Sequence, residues 1–157
     1  LCGKDKKNLN MKCVIQRVSF GSIAVNQSEI THIDSGLAVF LGIEEGDCEK
    51  DLVLMARKIS GIRIFEDETG KMKCSLSEHQ KILLISQFTL LGSIKQGFRP
   101  DFTKAENPEK ANEMYKTLIR LLREEYSRTV EHGIFGAVME VHLTIDGPVT
   151  IQYDTRR

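Results

Sequence analysis

The chain has no surplus of either charge: 22 Lys and Arg balance 22 Asp and Glu over 157 residues. That balance excludes a general nucleic-acid coating protein, whose affinity rests on a basic excess, but leaves room for contact with a limited piece of nucleic acid through a local patch. No apolar run comes near the ~20 residues of a membrane-spanning helix, so no membrane partner is expected. The opening residues Leu1–Asn10, LCGKDKKNLN, lack the apolar middle of a signal peptide. They read as a disordered extension or an expression remnant ahead of a folded domain at 11–157. Cys2, Cys13, Cys48 and Cys74 form no CxxC pair and no Cys–His cluster with zinc spacing. No metal or other cofactor is therefore expected, and free thiols in the cytoplasm are. Repeats, low-complexity tracts and linkers are also missing, and the length suits one domain.

What is present is a succession of short strand patterns with two helices. Lys12–Val18, Ser22–Asn26 and Glu29–Ile33 read as strands, the last two joined at Gln27-Ser28. Gly36–Ile43 is almost wholly apolar and predicts a central strand covered on both faces. From Asp47, a candidate N-cap, the spacing of Leu52, Met55, Ala56 and Ile59 predicts a helix ending near Gly61. Extended structure resumes at Arg63–Phe65 and, after a turn, at Lys71–Ser75. Asn107-Pro108 opens the clearest helix: Asn caps, Pro is preset for the first helical position, and Ala111, Met114, Leu118 and Leu121 or Leu122 make the apolar stripe. Two further strands, Val138–Ile145 and Val149–Tyr153, flank Asp146-Gly147-Pro148. Strands and helices do not alternate as in a doubly wound sheet. The predicted class is therefore α+β, with mostly antiparallel sheets around a barrel-like core and two main helices in a single domain.

Two stretches carry chemistry. In Lys81–Leu91, KILLISQFTLL, an apolar strand ends abruptly in Ser86, Gln87, Phe88 and Thr89. Each hydrogen-bonding group left unsatisfied in a buried place costs about 1–3 kcal/mol. These side chains must therefore find internal partners, as in a capped strand end, or a ligand. In Asp146–Thr150, Pro148 cannot donate to a sheet ladder and Gly147 permits backbone shapes closed to other residues. This is either a plain turn or a rigid tip presenting carbonyl oxygens.

Ser86-Gln87-Phe88-Thr89 and Gly147-Pro148-Val149-Thr150, in this order, resemble the paired motifs of the D-aminoacyl-tRNA deacylases. The similarity runs through most of Met11–Asp154. It takes in Val14-Ile15-Gln16-Arg17-Val18, Arg63-Ile64-Phe65-Glu66-Asp67 with Gly70-Lys71-Met72, Arg99-Pro100-Asp101-Phe102, and Gly133-Ile134-Phe135-Gly136-Ala137. One departure is visible: the family often has Asn two positions before the Gly of its Gly-Pro pair, and this chain has Ile145.

The resemblance implies a homodimer that removes D-amino acids mischarged onto tRNA, holding the aminoacylated 3′ end. Gly147 and Pro148, joined by a cis peptide bond, would reach into the partner subunit's pocket and exclude L-residues, with Arg17 bracing the tip. Ser86, Gln87, Phe88 and Thr89 would line the pocket, with Phe135 and Met139 near the terminal adenine, where an aromatic ring can stack. Two mechanisms compete. In one, Thr89 is a nucleophile, which needs a base; His32, His79, His132 and His142 all lie away from the motif and read as surface or structural residues. In the other, favoured by the resemblance, the substrate's own 2′-hydroxyl helps activate water. Main-chain N–H groups at Phe88 and Thr89 then stabilise the oxyanion. A non-catalytic dimeric module binding an RNA or DNA end is the competing reading.

Lys95, Arg99 and Lys104, in the loop after the pocket strand, are a candidate phosphate patch against the plainer reading of solvated loop charges. Replacing all three by Ala is expected to weaken tRNA binding and flatten its salt dependence; a titration with unchanged affinity and slope removes the patch.

Overall fold

The computed structural model describes residues 10–156. The extension expected at Leu1–Asn10 thus lies outside the described residues except for Asn10, which is 2% exposed. The elements are β1 (Lys12–Val25), β2 (Ser28–Ile33), β3 (Gly36–Gly42), α1 (Glu49–Gly61), β4 (Phe65–Glu66), β5 (Met72–Cys74), β6 (Lys81–Ser86), a single 3-10 turn (Phe88–Leu91), α2 (Pro108–Glu124), β7 (Val130–His132) and β8 (Glu140–Asp154). The class is α+β, as expected.

β1 organises the sheet. One of its edges pairs with β8 along nearly its whole length; the other takes β3 at Lys12–Val18 and β2 at Gly21–Val25, all antiparallel. β3 then pairs parallel with β6, and β6 parallel with β7. β2 curls round towards β7, where the Thr31 hydroxyl donates to the Glu131 carboxylate at 2.8 Å. The sheet is therefore barrel-like and nearly closed. β4 and β5 form a separate two-stranded ribbon.

β3 and β6 are covered on both faces, as their unbroken apolar sequence requires. Leu37, Val39 and Leu41 of β3, with Ile82 and Leu84 of β6, pack against the helices among Leu52, Met55, Ile59, Leu118 and Leu122. The alternate residues Ala38, Leu83 and Ile85 join Val18, Ile23 and Ile33 inside the curl of the sheet. This is the period-2 division of a strand between two cores. Asn107 caps α2 as predicted, its side chain accepting the Glu109 N–H at 2.9 Å.

Four expectations need correcting. β1 is one 14-residue strand where two were expected. β8 likewise runs without a break across Asp146-Gly147-Pro148. And Asp47 is not the cap of α1: Cys48 holds that position, and Asp51 accepts its N–H at 2.9 Å. The cysteines divide as well. Cys13 and Cys74 are free, with burial pushing the Cys13 thiol up to about 12, whereas Cys48 is disulfide-bonded, against the expectation of free thiols throughout.

Asp47 works as a buried tie. It is 1% exposed, and its two carboxyl oxygens accept the N–H of Asn10 at 2.9 Å and of Glu44 at 2.7 Å. Among the described residues, Glu44 Oε2 and Asn10 Oδ1 are buried without a hydrogen-bond partner. Burial, chiefly, raises the Asp47 pKa to about 7, against the two N–H donors and helped by the nearby Asp51 and Glu44 carboxylates. Its pKa is thus higher folded than unfolded, so folding takes up a proton. The stability this contributes is full below about pH 4 and is lost as pH rises through about 7. We expect Asp47→Asn to flatten the fall in unfolding free energy between these limits by about 2–4 kcal/mol relative to the parent chain. Urea titrations across that range check this; parallel profiles for the two proteins contradict it.

Candidate functional site

The site lies where the β6 ladder runs out. β3 pairs with β6 as far as Ser86, but β7 accompanies it only from Ile82 to Leu84. At Leu84 that side is closed off: its carbonyl accepts the Gly133 N–H at 3.2 Å and the Tyr115 hydroxyl at 2.7 Å. Beyond it, one flank of Ile85, Ser86 and Gln87 faces an opening. The Gln87 N–H makes a last bond to Leu41 O at 2.7 Å, and the chain then turns into the 3-10 segment.

Gly42 makes that turn possible. A Cβ there would stand 2.5 Å from Leu91 Cδ2 and 3.2 Å from Gln87 O, so only glycine lets the turn seat against β3. Gly92 gives Phe102 similar access, and the Phe102 ring meets Phe88 edge-on at 5.3 Å between centroids.

The resulting cavity has a volume of about 670 Å³ and is lined largely by apolar side chains. Ser86, Gln87, Phe88, Phe135 and Met139 line it together, although the last two stand some fifty residues further along the chain. Thr89, expected in the lining, is not among the lining residues; it sits exposed on the 3-10 turn, where its hydroxyl accepts a short hydrogen bond from the Gln87 amide. None of the four histidines lines the cavity.

Arg17, Gly147 and Pro148 are brought together, but elsewhere. Val18 pairs with Ile145 and Gln16 with Thr150, so residues 146–149 bulge out opposite Arg17 alone. Arg17 is 7% exposed; it donates to Ile64 O at 2.7 Å and to Asp146 O at 3.3 Å, and pairs with the Asp146 carboxylate at 3.2 Å. The Gly147-Pro148 peptide is cis and both residues are exposed. The tip does not line its own chain's cavity. Lys95, Arg99 and Lys104 are also exposed and outside the cavity, the first two on a loop closed by paired Ser93–Asp101 backbone bonds of 2.9 Å and Lys104 just beyond it.

Sequence reasoning missed several wall residues: Phe102, Ala105, Glu106, Tyr115 and Val138. Glu106 is the charged one. Burial alone would raise its pKa. The Lys110 ammonium at 3.0 Å and the N–H groups of Asn107 and Gly46 outweigh that and hold it below the ordinary carboxylate value. Burial raises the Tyr115 pKa against a backbone bond at Gly133, so its phenol stays protonated as a donor. Glu106 directly precedes the Asn107 cap, the one signal that placed it near an ordered corner.

The arrangement can bind a flat ring against Phe135 and an acyl group at a polar strand end, and it can direct main-chain dipoles at that group. Comparison with known proteins gives the family. Residues 14–154 match the model of the D-Tyr-tRNA(Tyr) deacylase family. The chain is 49% identical to a D-aminoacyl-tRNA deacylase of Dictyoglomus turgidum, over 92% of this chain and 93% of that one. A namesake from Kosmotoga olearia is 47% identical, covering 94% and 99%. Among solved structures, one described as a c-Myc DNA unwinding element binding protein superposes with a TM-score of 0.84 at 41% identity, covering 90% of this chain and 97% of that one. Another, described as a probable eukaryotic D-amino acid tRNA deacylase, reaches 0.77 at 16% identity, covering 92% and 99%, and so supports the fold alone. With its sequence matched across nearly its whole length and its two motif stretches built into a cavity rim and a bulged tip, the chain belongs to the D-Tyr-tRNA(Tyr) deacylase family and is a hydrolase of that family.

Proposed function

We propose that the domain at 11–157 hydrolyses the ester of D-aminoacyl-tRNA to D-amino acid and tRNA, a chiral proofreading step of translation carried out in the cytoplasm. The observation that carries this reading is the polar segment at the end of β6, Ser86 to Phe88, lining a cavity walled by Phe135 and Met139. The adenine of the tRNA 3′ end stacks near Phe135, which places the aminoacyl ester towards Gln87, Phe88 and Thr89. Water adds to the acyl carbon, the ester C–O bond breaks, and the ribose oxygen leaves with a proton.

Activation of water falls to the substrate's 2′-hydroxyl. Thr89 is a poor nucleophile here: no imidazole lines the cavity, and its hydroxyl oxygen is held by the Gln87 amide. The N–H groups of Phe88 and Thr89, first in the 3-10 turn and so without intrahelical acceptors, are suited to the developing oxyanion.

Chiral selection comes from a second copy of the chain. Its Gly147-Pro148 tip enters the cavity, takes the substrate ammonium on its carbonyl oxygens, and leaves no room for an L side chain. Two features support a homodimer: the tip is exposed and away from its own cavity, and Phe20, Ile145 and Ile151 leave apolar surface on the β1–β8 pair, each 36–42% exposed. The tip is also intolerant of a side chain. Gly147 has φ of +124°, and a Cβ would lie 2.8 Å from Val149 Cγ2 and 3.2 Å from the Arg17 guanidinium.

The likeness to a protein described as binding a DNA unwinding element favours one second reading, a dimeric module that holds a nucleic-acid end without turnover. Deacylation of D- and L-tyrosyl-tRNA separates the two. Release of D-tyrosine with the L-ester largely spared is expected; tight binding without hydrolysis supports the module instead. Within the same assay, a substrate lacking the terminal 2′-hydroxyl is expected to lose about 10²-fold or more in rate, while Thr89→Ala retains measurable turnover. Acyl-enzyme trapped on the parent chain and abolished in Thr89→Ala would reverse the mechanism. Gly147→Ala is expected to cut D-ester cleavage at least tenfold with the fold intact, since one misplaced ångström at a reacting centre can cost about 10²-fold; full activity with full chirality removes the tip from the mechanism.

A further inference from the structure

A second groove, of about 520 Å³, adjoins the cavity and shares two of its wall residues, Tyr115 and Phe135. Those rings lie 5.9 Å apart between centroids and form the partition between the two spaces. Beyond the partition the chemistry changes. The groove runs along the outer face of α2, where Asn112, Lys116 and Arg120 stand one turn apart in a single row, with Arg123 beside them. Ile119 lies below, and His132 and Ile134 form the opposite bank. Against three cations the lining holds one carboxylate, Glu124, at the far end of the row.

The cations are not equally available. Arg123 donates to Val130 O at 2.6 Å and so belongs to the fold. Lys116 has only a loose 3.8 Å contact with the exposed Glu113 carboxylate. Arg120 is exposed and, among the described residues, has neither a hydrogen-bond nor an ion-pair partner. In a chain of zero net charge, two uncommitted cations facing one groove beside the cavity are a local positive site.

We propose that this groove binds the phosphate backbone of the single-stranded nucleotides leading to the aminoacylated end, with Lys116 and Arg120 as the phosphate contacts. The inference rests on the deacylase reading above. A terminal adenosine stacked near Phe135 must let its 5′ phosphate leave the cavity, and the groove begins at that same ring. The contacts would be backbone contacts, indifferent to base identity. They differ from the loop patch of Lys95, Arg99 and Lys104, which lines neither space.

The test uses two substrates with the same ester: D-tyrosyl-tRNA, and D-tyrosyl-adenosine, which has no phosphate. Each is assayed with the parent chain, the Lys116→Ala/Arg120→Ala double variant, and Arg120→Lys. For the double variant kcat/KM on D-tyrosyl-tRNA is expected to fall on the order of tenfold at low salt. Its dependence on log KCl should become shallower by roughly 1.4, about 0.7 for each lost single-strand phosphate contact. Arg120→Lys, which keeps the charge, recovers most of the loss. Cleavage of D-tyrosyl-adenosine is unchanged in all three proteins. An unaltered salt slope on tRNA, or equal losses on both substrates, overturns the groove assignment while leaving the deacylase reading standing. A parent chain that cleaves neither substrate removes that reading, and the groove assignment with it.

Discussion

The structure depends on the unequal length of the two strands that pair with β6. A strand buried on both faces satisfies its main chain only through its neighbours. β3 accompanies β6 to its end, while β7 stops at Leu84. The two residues after Leu84 keep one full edge and lose the other, and the cavity is the space this leaves. The polar side chains begin there as well. Ser86 and Gln87 stand where a further apolar pair would have no sheet to pack into, and the 3-10 turn closes the segment by folding back over Gly42.

That frame is held by ties reaching the site from three directions. Tyr115, from α2, fixes the Leu84 carbonyl through its hydroxyl. On another side, the segment carrying Ala105 and Glu106 is laced to the loop after β3: Glu45 N–H donates to Lys104 O at 2.8 Å and Glu106 N–H to Ile43 O at 3.0 Å. That loop is itself gripped by Asp47 through Glu44. The third tie is Arg17, which spans from Ile64 to Asp146 and so holds the base of the bulge against β1 and the segment after α1. A buried guanidinium with two carbonyls and a carboxylate is well matched, which is the condition for its burial not to be destabilising.

Much of this was legible in the sequence where local chemistry decides the outcome. Asn107-Pro108 announces α2 because cap and first-turn preferences are local. Gly36–Ile43 and, after Lys81, Ile82–Ile85 announce doubly covered strands because nothing in them is polar. Ser86, Gln87 and Phe88 were found for the complementary reason, an abrupt change of polarity at a strand end. β8 was not legible as one strand. Gly147-Pro148 is a local break signal, and pairing with β1 on both sides of the bulge overrides it. Asp47 reads as a helix cap by type and position, yet its oxygens are taken by Asn10 and Glu44, a contact set by how the start of β1 meets the loop. Glu106, Tyr115 and Phe102 entered the cavity wall through tertiary packing of α2 and its preceding loop, which carries no periodic signal.

The neutral charge of the chain and a polyanionic substrate are reconciled by where the charges sit. Zero net charge gives no long-range attraction to the body of a nucleic acid, so affinity must come from a small footprint. The cavity itself is apolar with Glu106 held as a carboxylate in its wall, an environment that disfavours phosphate and suits a neutral ring beside an ammonium group. Two loosely held cations, Lys116 and Arg120, stand across the Tyr115–Phe135 partition, on the face of α2 opposite the one that packs against β6. The same helix therefore separates two tasks by its two faces. Ala111, Met114, Leu118 and Leu122 secure the strand whose end is the site, and Lys116 and Arg120 line the groove beyond the partition.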